Sequence, residues 1–432
     1  MATLVHTGRT VTLLTALLCS CGPRYVEEGG EAGESPSGDA GSATRPGGTS
    51  VGGSSGSIDE RSTNVVASAA GGGATAIPGG PFTPETEPVI GCAAQSWPEG
   101  GTYFEPPPFN EDLPFRRQQL LRGFSVGELS ADGRVVVGNS RDPDTLGNLP
   151  LTWTLSSGIA AIPVVTQGRP YPIKAGCDGN IVLVSDYFNG VYRVDIRRWQ
   201  YPLVIHSSPG YVSMDPLATS IVDGAGQARE IDYEIVAYPR LWTAATGPVE
   251  LRSLKNNIIH AVAADGTLIG SDSEELYRFD PVTRTRRPIG MAPVGWGSIV
   301  ASSSGYAWIQ HADLHSDSFL VWREPAQPFS VTCPTYCNLV DLSSTGQIAL
   351  VDMKVGAATT SWIWTEDSGF RELGPLLEDA GLDLRDRDLQ AAAMSDDGRA
   401  FTGYSLARNL PSGQTDGLFF YAVLPAAVYQ PQ

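Results

Sequence analysis

A tight turn recurs seven times along this chain, and that recurrence constrains the fold more than any other feature. The turn glycines are read at Gly133, Gly179, Gly224, Gly266, Gly305, Gly346 and Gly398, spaced by 46, 45, 42, 39, 41 and 52 residues. An aromatic follows each of them: Trp153, Trp199, Trp242, Phe279, Trp322, Trp364 and Phe420. In the clearest copy, Phe124 to Pro163, four short apolar stretches alternate with turn formers. Ser125 to Leu129 enters the Asp132-Gly133 turn and Val135 to Val137 returns from it. Leu151 to Thr154 carries the aromatic, and Ile159 to Pro163 ends the unit. Four strands in roughly 45 residues, repeated seven times, predict an all-β chain: a seven-bladed β-propeller with four-stranded blades. The aromatics are expected to pack between neighbouring blades, and the small residues of each first strand suit a crowded centre. An open β-solenoid is the competing arrangement, but it has shorter periods and no reason to stop at seven.

The ends of the array predict how the ring closes. The seventh copy stops at Pro425 without a fourth strand. The segment before the first copy, Phe115 to Leu121, resembles the outer-strand region of the sixth unit at Phe370 to Leu373. That segment is expected to complete the last blade, since an open array would expose unpaired edges. A single helix is expected, around Gly374 to Ala380.

The unit reads S-x-DG-x-VVG-x-S, then WT, then G and LP, and is strongest around Ser130-Ala131-Asp132-Gly133 and Ser395-Asp396-Asp397-Gly398. It resembles the HAF-type repeats of bacterial extracellular proteins and, less closely, TolB-like and YVTN-type propellers. The resemblance covers about 300 residues. It implies a secreted or surface location and a propeller-like fold, and it brings no catalytic residues with it.

Residues 1–21 read as an export signal and are set aside from folding. Arg9 precedes the uncharged run Thr10 to Leu18, which is too short to span a bilayer as a helix. Leu18-Cys19-Ser20-Cys21 resembles a bacterial lipobox, which implies lipidation of Cys21 and attachment to a membrane. Cys19 departs from the commonest pattern, and a plain secretory signal is the alternative. Residues 22–90 hold 16 Gly, 9 Ser and 7 Pro, with three Arg against nine acids. Such a stretch buries too little apolar surface to offset chain entropy. It is expected to be a disordered tether reaching about 45 Å. Gly48-Thr49-Ser50-Val51-Gly52 matches a nucleophile-elbow pattern there, but that motif needs a strand-to-helix turn. Residues 91–432 remain as the propeller domain.

Charge and cysteine usage narrow the function. Lys+Arg number 29 against 47 Asp+Glu, a net charge of −18, which argues against a nucleic-acid partner. After the first 90 residues, 25 basic and 38 acidic residues leave −13, favouring a cationic or Ca²⁺-bridged partner. In an exported domain Cys333 and Cys337 suggest a loop clip, and Cys92 and Cys177 a second staple. His311 and His315 have the spacing of a metal pair but lie where a hairpin loop is expected, so no metal or cofactor is assigned. Acid clusters such as Asp142/Asp144 and Asp383/Asp386/Asp388 lack calcium-loop spacing and read as solvated surface.

The reading is a monomeric, lipid-anchored propeller of the bacterial cell envelope, facing the periplasm or the cell surface. It acts as a non-catalytic interaction module for an unknown protein or glycan. Its candidate binding loops are Arg141 to Pro150 and Asp383 to Asp388. The alternatives are a structural envelope or matrix component, and a carboxylate-based glycan hydrolase or lyase. Converging acids of raised pKa at the channel mouth would mark the last of these.

Overall fold

The computed structural model describes residues 97, 101–106, 115–145, 147–162, 170–186, 190–196, 200–205, 212–223, 229–231, 234–291, 299–311, 317–323, 328–355, 358–384, 387–407, 417–425 and 428. The export signal, the tether, Cys92, Trp199 and His315 lie outside them. The described chain is a seven-bladed propeller in which every blade is a four-stranded antiparallel meander. Blade one runs Ser125–Leu129, Val135–Arg141, Asn148–Thr154 and Gly158–Ala161. The inner strands of blades two to seven begin at Pro170, Val212, Ile258, Ile299, Cys337 and Arg387.

The Ser-x-Asp-Gly unit is a self-contained turn. Ser130 Oγ donates to Asp132 Oδ1 at 2.7 Å, the Arg134 N–H donates to the same oxygen at 3.0 Å, and the Val135 N–H donates to Ser130 Oγ at 2.9 Å. Blade seven repeats it with Ser395, Asp397, Arg399 and Ala400. Short polar side chains that bond their own backbone favour such turns over continued strand. The glycine carries a positive φ of 72° at Gly133 and 68° at Gly179. At Gly179 a Cβ would also strike Val135 of the preceding blade, 2.4 Å away. The ruler therefore marks backbone conformation and inter-blade contact together.

Three expectations need correction. The ring is closed from the N-terminal side, but by Thr102–Phe104, which pairs antiparallel with Gly417–Val423 in the register Thr102 to Val423 and Phe104 to Tyr421. Phe115–Arg122 is instead a helix, α1, whose Leu120 and Leu121 pack into the seam between blades seven and one. A side-chain likeness to another blade's outer strand misled here, because Leu and Arg favour helix as readily as an edge strand. In the third blade the first turn lies at Pro216 to Ala218, with Ala218 in the left-handed region at φ 55°. Gly224, outside the described residues, is not that turn. Alanine standing in for glycine hid the position. The second helix, α2 (Leu373–Asp379), falls in the expected insert.

Packing between blades is aromatic and aliphatic. Trp153 is 1% exposed, with ring centroids 5.1 Å from Phe419, 5.1 Å from Tyr421 and 4.7 Å from Phe104. Trp242, Phe279, Trp364 and Phe420 are buried as well. Trp322 is only partly buried. Hydrogen bonds add to the packing. Tyr404 of blade seven accepts from the Val126 N–H of blade one at 3.0 Å, and Ser361 Oγ of blade six accepts from the Ala391 N–H of blade seven at 2.7 Å.

Candidate interaction face and central channel

A meander blade sends its first-to-second and third-to-fourth turns to one face of the ring. Its second-to-third loops and the crossings between blades go to the other. Here the two faces differ sharply. On the turn face the first turns are tied to each other by backbone hydrogen bonds. These run from Ser344 N to Asp396 O (2.8 Å), Asp396 N to Ala131 O (3.0 Å), Asp132 N to Cys177 O (2.9 Å) and Cys177 N to Pro216 O (2.7 Å). Ser303 Oγ of blade five donates to Asp396 Oδ2 of blade seven at 2.6 Å, passing blade six altogether. The turns thus converge on the ring axis at this end.

The chain enters from the same face. Thr102–Phe104 rises from it, and Trp97 lies over the first turns of blades one and seven, donating through Nε1 to the Asp397 carboxylate. The Arg399 guanidinium stands 6.0 Å from the Trp97 ring.

Among the described residues the elements that break the repeat lie on the opposite, loop face. They include α1, α2, a 3-10 turn at Arg252–Leu254, an extra hairpin of Arg229–Ile231 with Glu234–Val236, and the disulfide-clipped crossing Cys333–Cys337. Both candidate binding loops lie there too. In Arg141 to Pro150 the acids are a loop staple. Arg116 of α1 reaches Asp142 at 3.2 Å and Asp144 at 3.0 Å, and the Asp142 carboxylate also accepts from the Asp144 N–H and from Thr145 Oγ1. The Asp144 N–H leads the contacts that lower the Asp142 pKa. The loop from Asp383 to Asp388 is anchored by buried Leu384; Asp386 is outside the described residues. His311 ends its strand at this face. Cys177 is disulfide-bonded, and its partner is not among the described residues.

The channel wall is shaped by a bulge repeated in the inner strands of blades one, two, four, six and seven. A bulge sets two successive residues against one on the partner strand and re-aims their side chains. The residue after it is Glu128, Lys174, Ala261, Asp341 and Ala393 in turn. Three charged groups thereby meet near the turn-face end. Lys174 Nζ lies 2.7 Å from Glu128 Oε2 and keeps 40% of its side-chain surface in reach of solvent, as a group in a wetted channel does. Asp341 Oδ2 accepts from the Met394 N–H at 2.8 Å, and Oδ1 from the Leu342 N–H at 2.8 Å. Burial and the nearby Glu128 charge push the Asp341 pKa up, against the pull of Lys174. Burial lowers that of Lys174, but Glu128, Asp341 and Asp396 outweigh it and the net shift is upward.

Two further polar sites lie toward the loop face. Burial raises Asp352 to about 6, although Ser361 Oγ (2.5 Å) and Gln390 Nε2 (3.3 Å) both donate to it. His260, at a bulge in blade four, is held down to about 4 by burial, with Nε2 2.8 Å from Ser271 Oγ. Sequence reading missed all of these residues. Glu128, Lys174 and Asp341 do share a signal, since each lies five residues before its turn glycine.

Among the described residues no three His, Cys, Asp or Glu gather to hold a metal ion, and no helix is long and apolar enough to cross a membrane. No protein-family model matches the chain, and no curated protein does. Solved structures do resemble it. An oligogalacturonate lyase in complex with manganese superposes with a TM-score of 0.50 at 11% identity, over 77% of this chain and 93% of that one. An oligogalacturonate lyase from Vibrio parahaemolyticus gives 0.49 at 10%, over 72% and 91%. TolB from Acinetobacter baumannii gives 0.40 at 13%, over 56% and 63%. At such identities the likeness of the first of these speaks for the propeller fold alone.

Proposed function

We propose that this chain is an exported propeller, lipid-anchored through Cys21, that works as a non-catalytic interaction module of the cell envelope. It binds a protein or glycan on its loop face. The observation that supports this reading best is that the carboxylates of the channel, and the buried Asp352 in the seam beside it, are engaged by the ring itself. Glu128 is held by Lys174, Asp341 by two backbone N–H groups, Asp396 by Ser303, and Asp352 by Ser361 and Gln390. The Asp341 pKa is pushed upward, as a carboxylate-based enzyme would need, but both its oxygens are taken by backbone N–H groups of blades six and seven, whereas a general acid must keep a proton aimed at substrate. The irregular elements gather on the face away from the chain's entry, as binding loops on a rigid scaffold do.

The test is a turnover screen of the full chain against chromogenic glycans, esters and peptides, with detergent-phase partition measured alongside. No turnover is expected, and Cys21→Ser should release the protein from membrane, because stable anchoring needs its acyl chains. Hydrolysis or elimination abolished by Asp341→Asn would overturn the reading in favour of a carboxylate-based glycan hydrolase or lyase. Membrane retention of the Cys21→Ser variant would refute the anchor.

A further inference from the structure

We propose that the seam between blades four and five is a binding site for a buried water, held by the Trp308 and Trp322 indoles and the Gln310 side chain. Trp308 and Gln310 are two residues apart on Ala307–His311 and so share one face of the sheet. Trp322 stands directly opposite Trp308 on the next strand, with the rings stacked at 5.6 Å and 18°. That face packs against Ala261, Ile269 and Leu276 of blade four. Trp308 is 1% exposed and Gln310 3%. Trp308 Nε1, Trp322 Nε1 and Gln310 Oε1 are each sealed from solvent with no hydrogen-bond partner among the described residues.

Buried polar atoms are seldom left unpaired, and three on one face call for a ligand. Its chemistry follows from theirs. Two indoles donate only, and the amide oxygen accepts only. A cation would be repelled by the N–H groups and an anion by the amide oxygen, while an apolar guest would satisfy none of them. Water accepts twice and donates to the third. Blade four shows the protein's other solution at the same distance past the turn glycine: Ser271 is met by His260. Gln310 Oε1 has no such partner among the described residues. Among the described residues the seam has a small buried cluster, and its ruler aromatic, Trp322, is only partly buried.

The full chain, labelled with ¹⁵N at the indoles, tests this by water-to-indole magnetisation transfer. Trp308→Phe and Trp322→Phe assign the two signals. A crystal structure of the same chain supplies the geometry. Expected are water cross-peaks on both indoles, and density at hydrogen-bond distance, about 2.7–3.2 Å, from both Nε1 atoms and Gln310 Oε1. In Gln310→Leu at least one cross-peak should weaken. A seam without density and without cross-peaks would overturn the proposal, as would a protein acceptor on either indole. Cross-peaks unchanged in Gln310→Leu would overturn the three-point site.

Discussion

The seam that closes the ring and the seam between blades four and five are built from the same strand types, yet they are packed differently. At the closure, Trp153 is enclosed by Phe104, Phe419 and Tyr421, and Phe124, Leu120 and Leu121 seal the edge. Between blades four and five the buried cluster among the described residues is Ala261, Ile269, Leu276 and Trp308, and Trp322 is only partly buried. The closing strand is three residues long and holds blade seven without a covalent link to its neighbour strand. So short a strand is weakly held by its own ladder. Apolar burial from α1 and the inter-blade aromatics compensates. In blades four and five each strand follows its neighbour in the chain, and the seam between them tolerates thinner packing.

Removing the closing strand breaks the comparison most severely. Deleting residues 97–106 strips Phe104 from the seam and takes away Glu105, which pairs with Arg387 Nε at 2.9 Å in a largely buried setting. Losing the partly buried Phe104 ring and the Arg387–Glu105 ion pair, whose carboxylate is sealed from solvent, should together cost more than about 5 kcal/mol. Urea unfolding of the deleted chain would show this as a loss of blades seven and one. A cost below about 2 kcal/mol would mean that the ring does not depend on its closure.

Next in size is Trp153→Ala, expected to cost about 3–5 kcal/mol, with Phe279→Ala close behind. Trp322→Ala should cost clearly less, below about 2 kcal/mol, because part of that ring is already in water. Equal losses at Trp153 and Trp322 would show that the two seams are energetically alike.

The contrast also explains what could be read from sequence. The turn and aromatic rulers are local and repeat seven times, so blade number, strand count and the buried positions of Trp153 and Trp364 were legible. Closure depends on Thr102–Phe104, three residues with no periodicity of their own, and α1 copied the look of an outer strand. The third-blade turn was lost because Ala218 adopts a conformation that sequence reading assigns to glycine. The charged channel groups were missed for another reason. Glu128, Lys174 and Asp341 share a place five residues before their turn glycines, but they come from three blades and meet only when the ring closes.

A smaller effect is expected from a seam that contains charge. Between blades six and seven, Asp352 is buried and its pKa is raised to about 6. The folded state therefore prefers the protonated acid. This preference favours folding fully below the unfolded value of 3.8 and is lost as pH rises through about 6. His260, held down to about 4, gains stability as pH rises over the same window and Asp341 loses it, so the Asp352 share is read by difference in urea unfolding. Asp352→Asn, which keeps a polar group for Ser361 and Gln390, should stabilise the chain at pH 7.5 by roughly 2 kcal/mol, and that gain should shrink as pH falls to 5. Asp142 and Asp272 are shifted the other way, so their contribution is lost only in stronger acid. A gain from Asp352→Asn that grows as pH falls from 7.5 to 5 would contradict this assignment.

The smallest expected effect is at the thinner seam. Trp322→Phe keeps an aromatic ring against Gly290, where the indole edge already lies within van der Waals contact. It removes a sealed N–H that has no protein partner. Deleting a donor whose bond is not to protein forfeits little, while trimming a half-buried ring sacrifices only a few methylene equivalents of area. The two changes partly cancel, and thermal or urea unfolding should register less than about 1 kcal/mol in either direction. The same substitution strategy at the closing seam, Trp153→Phe, trims a ring packed on three aromatics and should cost more. A Trp322→Phe loss above about 2 kcal/mol, or one exceeding that of Trp153→Phe, would show that the seam between blades four and five is as tightly fitted as the closure.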